Sequence, residues 1–188
     1  MVKELTTPTS KKSLEKLRAG EQVLLSGFIY TARDQAHKRL YQMILRGEKL
    51  PLVLEGQAIY YCGPTKTPKG KIIGSCGPTT SGRMDDFTPL LLRQGLAVMI
   101  GKGNRSEFVR KAIKEYKAVY LVAPAGCGAL LSTFVKEVSP IAFKDLGPEA
   151  IYRLKVEKMP LWVAIDSYAG TIFPKLNNRP KNNEEATD

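Results

Sequence analysis

Apolar positions recur along the chain in short blocks divided by glycine, proline and polar residues, and each block carries its own period. Leu14 and Leu17 share one face of a helix predicted over residues 10–18, with a hydroxyl residue at its start and Gly20 at its end. Residues 23–30 form an apolar block that reads as a buried strand. It runs into Thr31-Ala32-Arg33-Asp34, where Asp34 stands to cap a helix over 35–45 that Gly47 closes. Two short strands follow, 58–62 and 71–76, and both end in Cys-Gly-Pro-Thr, a sequence that turns the chain out of a sheet. Met84, Phe87, Leu90 and Leu91 fall at helical spacing over 83–94, with Pro89 kinking or restarting that helix. A strand over 96–100, a helix over 107–116 and a strand over 118–122 come next. Ala125-Gly126-Cys127-Gly128 then opens a helix reaching about Phe134, and Pro148 begins a short helix over 148–154. Residues 161–165 form the last predicted strand, carrying Trp162 as a core residue, and Asp166 beyond it reads as a turn cap.

With strands dominating the first half and alternating with helices in the second, the pattern predicts an α/β fold: a mixed sheet with flanking helices. Residues 1–173 form one domain in this reading, and the polar segment 174–188 a disordered tail. The length of 188 residues is ordinary for one domain. No apolar run approaches the roughly 20 residues that cross a bilayer, and the first residues lack a signal-peptide hydrophobic region. The expectation is a cytoplasmic protein with no membrane partner.

Charge enlarges the picture without deciding it. The net charge is +11, and residues 175–188 balance Lys175, Arg179 and Lys181 against Glu184, Glu185 and Asp188, so the excess lies in the body of the chain. That excess suits nucleic acid, an acidic partner or an anionic substrate. No zinc finger, RNP-type aromatic motif or uninterrupted basic run favours nucleic acid, which stays a remote alternative. Cys62, Cys76 and Cys127 are odd in number and lack both CxxC and cluster spacing, so buried thiols are expected and no metal site.

Three segments leave predicted strands through small residues and present a cation or hydroxyl. Arg33 precedes a helix whose first N–H groups favour an anion, and its planar guanidinium matches a carboxylate; a surface ion pair with Asp34 is the competing account. Thr79, Thr80, Ser81 and Arg83 lie between a Gly-Pro turn and a predicted helix, where one hydroxyl would suffice as a cap. Lys102 sits in Gly101-Lys102-Gly103-Asn104-Arg105-Ser106, where flanking glycines admit a ligand to the backbone; a solvated turn lysine is the alternative. His37, the one histidine, has no nucleophile tied to it, which argues against a Ser-His or Cys-His hydrolase.

Taken in order, GxIYTARDxAHKR at 27–39, IYYCGPT at 59–65, GPTTSGRM at 77–84, IGKG at 100–103 and LGPEA at 146–150 resemble the beta subunit, or carboxy-terminal domain, of class I iron–sulfur fumarate hydratases. The related tartrate dehydratase beta subunits share this framework, and Pro124-Ala125-Gly126-Cys127 is similar to theirs. The resemblance implies a swivelling β/β/α domain and reversible hydration of fumarate to (S)-malate. It further implies a [4Fe–4S] cluster held by three cysteines of an alpha subunit, and hence a hetero-oligomer inactive without that partner. On the matching positions it assigns Arg33, Arg83 and Lys102 to substrate binding and Thr79 to the general base, with Arg83 expected one helical turn beyond Thr79.

Overall fold

A computed structural model describes residues 2–174; the expected tail lies, from 175 onward, outside the described residues. Seven strands and five helices follow one another as β1 (Lys3–Thr7), α1 (Lys11–Leu14), β2 (Gln22–Thr31), α2 (Asp34–Leu45), β3 (Ala58–Tyr60), α3 (Thr88–Arg93), β4 (Val98–Gly101), α4 (Glu107–Tyr116), β5 (Val119–Val122), α5 (Gly128–Thr133), β6 (Val135–Ala142) and β7 (Ile151–Ile165). Two 3-10 segments, Ser81–Met84 and Lys144–Glu149, complete the order. No helix among the described residues is long and apolar enough to cross a membrane.

The sheet is mixed, as the apolar pattern predicts. Strands β1 to β5 pair in parallel, β1-β2-β3-β4-β5, and β7 joins antiparallel to β5 and β6. Strand β7 also pairs antiparallel with β2, from Gln22↔Trp162 to Tyr30↔Arg153. The pairings β2–β3–β4–β5–β7–β2 therefore form a closed ring. Alternation along the central strands explains the layering. Ala58, Tyr60, Val98, Ile100, Val119 and Leu121 face the strands opposite, packing against Val23, Leu25, Ile29, Leu154, Val156 and Val163. Their neighbours Ile59, Met99 and Tyr120 face the other way, onto Ala36 and Leu40 of α2, Leu91 and Leu92 of α3, and Val109 and Ile113 of α4. Two layers of strands and one of helices result.

Several expected elements change. The first helix shrinks to Lys11–Leu14, with the Ser10 hydroxyl accepting from Ser13 N. Residues 71–76 form no strand: Thr65 N donates to Ser75 O, Ser75 N to the Thr65 hydroxyl and Cys76 N to Gly128 O, so the segment is tied to loops. The helix expected over 148–154 is absent. Pro148 belongs to a 3-10 segment broken at Gly147 (φ 57°, ψ −120°), and Ile151 and Tyr152 already pair with β6 as the start of β7. The helix over 83–94 splits, with Pro89 near the start of α3, because proline's missing N–H is tolerated only in a first turn. Trp162 lies on β7 but remains about a third exposed, which corrects its placement in the core. Asp166 does cap a turn, accepting from Tyr168 N and Gly170 N and reaching back to Ala19 N.

Candidate functional site

The residues singled out by chemistry meet at the carboxyl ends of β2, β3 and β4, where parallel α/β sheets place ligands. Arg33 leaves β2 in extended conformation (φ −114°, ψ −161°) and is itself the N-cap of α2. Asp34 is thus the first helical residue and not the cap; the Gln35 N–H is capped from far away by Glu149 Oε2 at 3.0 Å. Thr79 is fixed to the end of β3 by its N–H donating to Tyr61 O, and to the end of β4 by its carbonyl accepting from Lys102 N at 3.3 Å. Ser81 N in turn donates to Lys102 O. The 77–84 and 101–106 loops therefore lie side by side, continuing the sheet as an isolated parallel bridge between Thr80 and Lys102.

Close approach dictates part of this arrangement. A Cβ on Gly101 would collide with the Ser81 hydroxyl, and that buried hydroxyl accepts from Tyr120 OH at 2.8 Å. Of the three hydroxyls expected to compete for a cap, Thr80 takes the N-cap position of the 3-10 turn without a side-chain hydrogen bond. Thr79 stands outside that turn, so it and Arg83 are not successive positions on one helical face.

Charges converge on Asp34. Arg83 Nε donates to Asp34 Oδ1 at 2.7 Å, while Arg33 Nη2 lies 3.6 Å from Asp34 Oδ2 and 3.7 Å from Glu149 Oε1. The ion pair between Arg33 and Asp34, one of the two accounts open from the sequence, therefore exists, but it occupies no hydrogen-bond donor of Arg33. Arg33 Nε and Asp34 Oδ2 are both buried without a partner. Arg33 packs its stem against Gly63, where a Cβ would stand 3.0 Å from Arg33 Cδ. The Arg83 side chain is 53% exposed, and Lys102 is half-buried. No ion pair or side-chain hydrogen bond among the described residues involves Lys102 Nζ or the Thr79 hydroxyl.

Arg105 carries no local chemical pattern in the sequence. It lies buried beneath the two loops, with Nε donating to Asp85 Oδ1 at 2.6 Å, Nη2 to Thr88 Oγ1 at 2.7 Å and Nη1 to Tyr61 OH at 3.3 Å. Asp85 Oδ2 accepts from Ser106 N at 2.7 Å. The only signal in the sequence was Asp85 following GPTTSGRM and Arg105 following GKGN, a pair whose meaning depends on the loops being neighbours.

His37 is fully buried on α2, its Nδ1 2.9 Å from Arg33 O and its ring edge-on to Tyr61. Burial pushes its pKa down to about 4, so it is neutral near pH 7. Cys62 and Cys76 are buried neighbours. Hydrogen bonding to Cys76 and burial push the Cys62 thiol up, and the same bond lowers Cys76. No group of three or more His, Cys, Asp or Glu side chains among the described residues could hold a metal ion. Cavities of about 430 Å³, beside Pro64, Pro148 and Tyr152, and about 590 Å³, beside Ile72, Ile73 and Val135, contain none of Arg33, Thr79, Arg83 and Lys102. Arg83 is exposed and Arg33, Thr79 and Lys102 are each partly exposed, so all four reach the surface.

Comparison with known proteins gives this face a lineage. The putative L(+)-tartrate dehydratase subunit beta of Methanocaldococcus jannaschii is 40% identical over 176 residues, covering 90% of each chain. The L(+)-tartrate dehydratase subunit beta of Escherichia coli is 33% identical over 178 residues, which is 92% of this chain and 87% of that one. Fumarate hydratase 2 of Leishmania major is 37% identical over 176 residues, 92% of this chain, although the chain spans only 31% of its length. The family model described as Fumarase C-terminus matches residues 2–176. The chain belongs to that family, which joins tartrate dehydratase beta subunits to the carboxy-terminal region of class I fumarate hydratases.

Proposed function

We propose that this chain is the beta subunit of a two-chain hydro-lyase that interconverts fumarate and (S)-malate. The observation that carries the proposal is the gathering of Arg33, Thr79, Arg83 and Lys102 from separate segments onto one open face with donors left unoccupied. In this reading Arg33, Arg83 and Lys102 bind the substrate carboxylates and Thr79 handles the proton. Fused relatives, of which this chain spans about a third, support an alpha partner that completes the open face.

Removing a proton from the carbon beside a malate carboxylate moves negative charge onto that carboxylate, forming an aci-carboxylate. Fixed guanidinium and ammonium groups stabilise such developing charge because they need no reorganisation when it appears. Each charge-assisted contact contributes about 1.5–3 kcal/mol. The Thr79 hydroxyl, without a hydrogen-bond partner among the described residues, is available to the substrate, and its backbone is held on both sides by Tyr61 and Lys102. The implied [4Fe–4S] cluster would be held by the alpha partner and supply a Lewis acid for the leaving hydroxyl. The chemistry assigned to this chain is confined to gripping carboxylates and taking the proton.

A second reading keeps the face and changes the substrate to L(+)-tartrate. It is favoured by the near-equal length and 40% identity shared with the Methanocaldococcus jannaschii protein of that name. Mixing the chain with its alpha partner under anaerobic conditions and comparing rates on fumarate, malate and tartrate separates the two. The expected result is hydratase activity in the mixture and none in the chain alone; turnover by the isolated chain overturns the proposal.

A further inference from the structure

Arg33 stands between two carboxylates and hydrogen-bonds to neither. Its Nη2 lies 3.6 Å from Asp34 and 3.7 Å from Glu149, and its Nε is buried without an acceptor. Surface ion pairs of ordinary geometry hold nothing in place, because solvent screens them and the side chains wander. These two carboxylates differ in being anchored from elsewhere. Glu149 is held by the Gln35 N–H at the start of α2, where the helix end also favours its charge, and Asp34 is held by Arg83 Nε and by its own place in the first turn. Side-chain exposures of 25% for Arg33, 21% for Asp34 and 23% for Glu149 put all three partly out of water, where charges act more strongly. The Arg33 stem is pressed on Gly63, so the guanidinium is confined by packing on one side and by charge on the other.

We infer that Asp34 and Glu149 are positioning residues: their charges hold the Arg33 guanidinium, and Asp34 that of Arg83, in a fixed place while leaving the Arg33 donors open to a substrate carboxylate. The inference rests on the dicarboxylate reading above. A structural role alone would need hydrogen-bonded pairs, as at Arg105; here the distances keep attraction without taking up the donors of Arg33. Asp34 also couples the two arginines, so that both move if it moves.

The test uses Asp34→Asn and Glu149→Gln in the complex assembled with the alpha partner, together with Asp34→Glu. The Gln at 149 keeps an acceptor for the Gln35 N–H and the Asn at 34 keeps one for Arg83 Nε, so charge is removed while hydrogen bonds remain. Expected are unchanged assembly and a kcat lowered about ten- to a hundredfold. KM does not rise, because each variant leaves the face one charge more positive, and Asp34→Glu recovers part of kcat. A readout without turnover accompanies this: the Nε–Hε correlations of Arg33 and Arg83 in the full chain. Asp34→Asn should shift or broaden both, and Glu149→Gln that of Arg33 alone. Values of kcat within about twofold of the starting enzyme in both variants overturn the inference whatever the spectra show, and so does a loss of assembly that accounts for the lost rate. An unsubstituted complex inactive on fumarate, malate and tartrate overturns the dicarboxylate reading; an active complex with indifferent variants overturns this inference alone.

Discussion

Arg105 and Arg33 are the same kind of residue put to opposite uses. The Arg105 side chain is wholly buried, hydrogen-bonded to Asp85, Thr88 and Tyr61, with its guanidinium 5.4 Å and 5.1 Å from the ring centres of Tyr61 and Tyr120. Arg33 keeps a quarter of its side chain exposed and has no hydrogen-bond acceptor. One arginine fastens the 101–106 loop to the 77–88 segment; the other is held open. The contrast separates two tasks: Arg105 ties the loops together from below, while on top the Arg33 Nε is left without an acceptor among the described residues.

The largest test of that contrast is Arg105→Ala. It strands Asp85 as a buried charge and should lower chain stability by about 3–5 kcal/mol in denaturant titration; full stability would break the comparison. Arg33→Ala and Arg83→Ala should do the reverse, lowering kcat/KM of the assembled enzyme by about a hundred- to a thousandfold while the melting temperature of the chain holds. Next comes His37, whose imidazole touches the Arg33 carbonyl. Its folded pKa of about 4 lies below the ordinary 6.5, so the unfolded chain binds more protons between those values. The stability involved is complete above pH 6.5 and is lost as pH falls toward 4, on the order of 3 kcal/mol. Denaturation at stepped pH should show this slope, and His37→Gln should flatten it. Smallest is Gly101→Ala, which forces the Ser81 hydroxyl aside; it should cost about 1–3 kcal/mol and be read in the melting temperature.

The sequence disclosed the upper half of this contrast and not the lower. Arg33, Thr79, Arg83 and Lys102 stand out because small residues and strand ends flag them locally. Arg105 and Asp85 do not, since their meaning arises only when two loops 20 residues apart become neighbours across the β3 and β4 strand ends. The same reason explains the elements missed. Strand β1 is short and half polar, and β6 (Val135–Ala142) alternates weakly, so neither announces itself without a partner. Helix α4 was legible to the residue because its buried Val109, Ala112 and Ile113 repeat at helical spacing. The helix expected at 148–154 failed because Ile151 and Tyr152 pair with Ala142 and Pro140 of β6, while Tyr152 N donates to the Thr31 hydroxyl, 121 positions back on β2. The cap expected of Asp34 failed likewise, since the Gln35 N–H is capped instead by Glu149, 114 positions further on.

The closed ring of strands has a consequence for synthesis. Strand β2 ends at Thr31, yet the strand that seals its other edge begins at Ile151 and pairs back to Gln22 only when Trp162 has been made. At roughly 5–20 residues per second, a growing chain carries β2 without that antiparallel neighbour for on the order of ten seconds. During that interval the arginine, threonine and lysine of the face have all been polymerised, while the β2–β7 pairing that closes the ring has yet to form. A ribosome that stops before 151 releases a chain holding Arg33, Thr79, Arg83 and Lys102 without the strand that closes the ring.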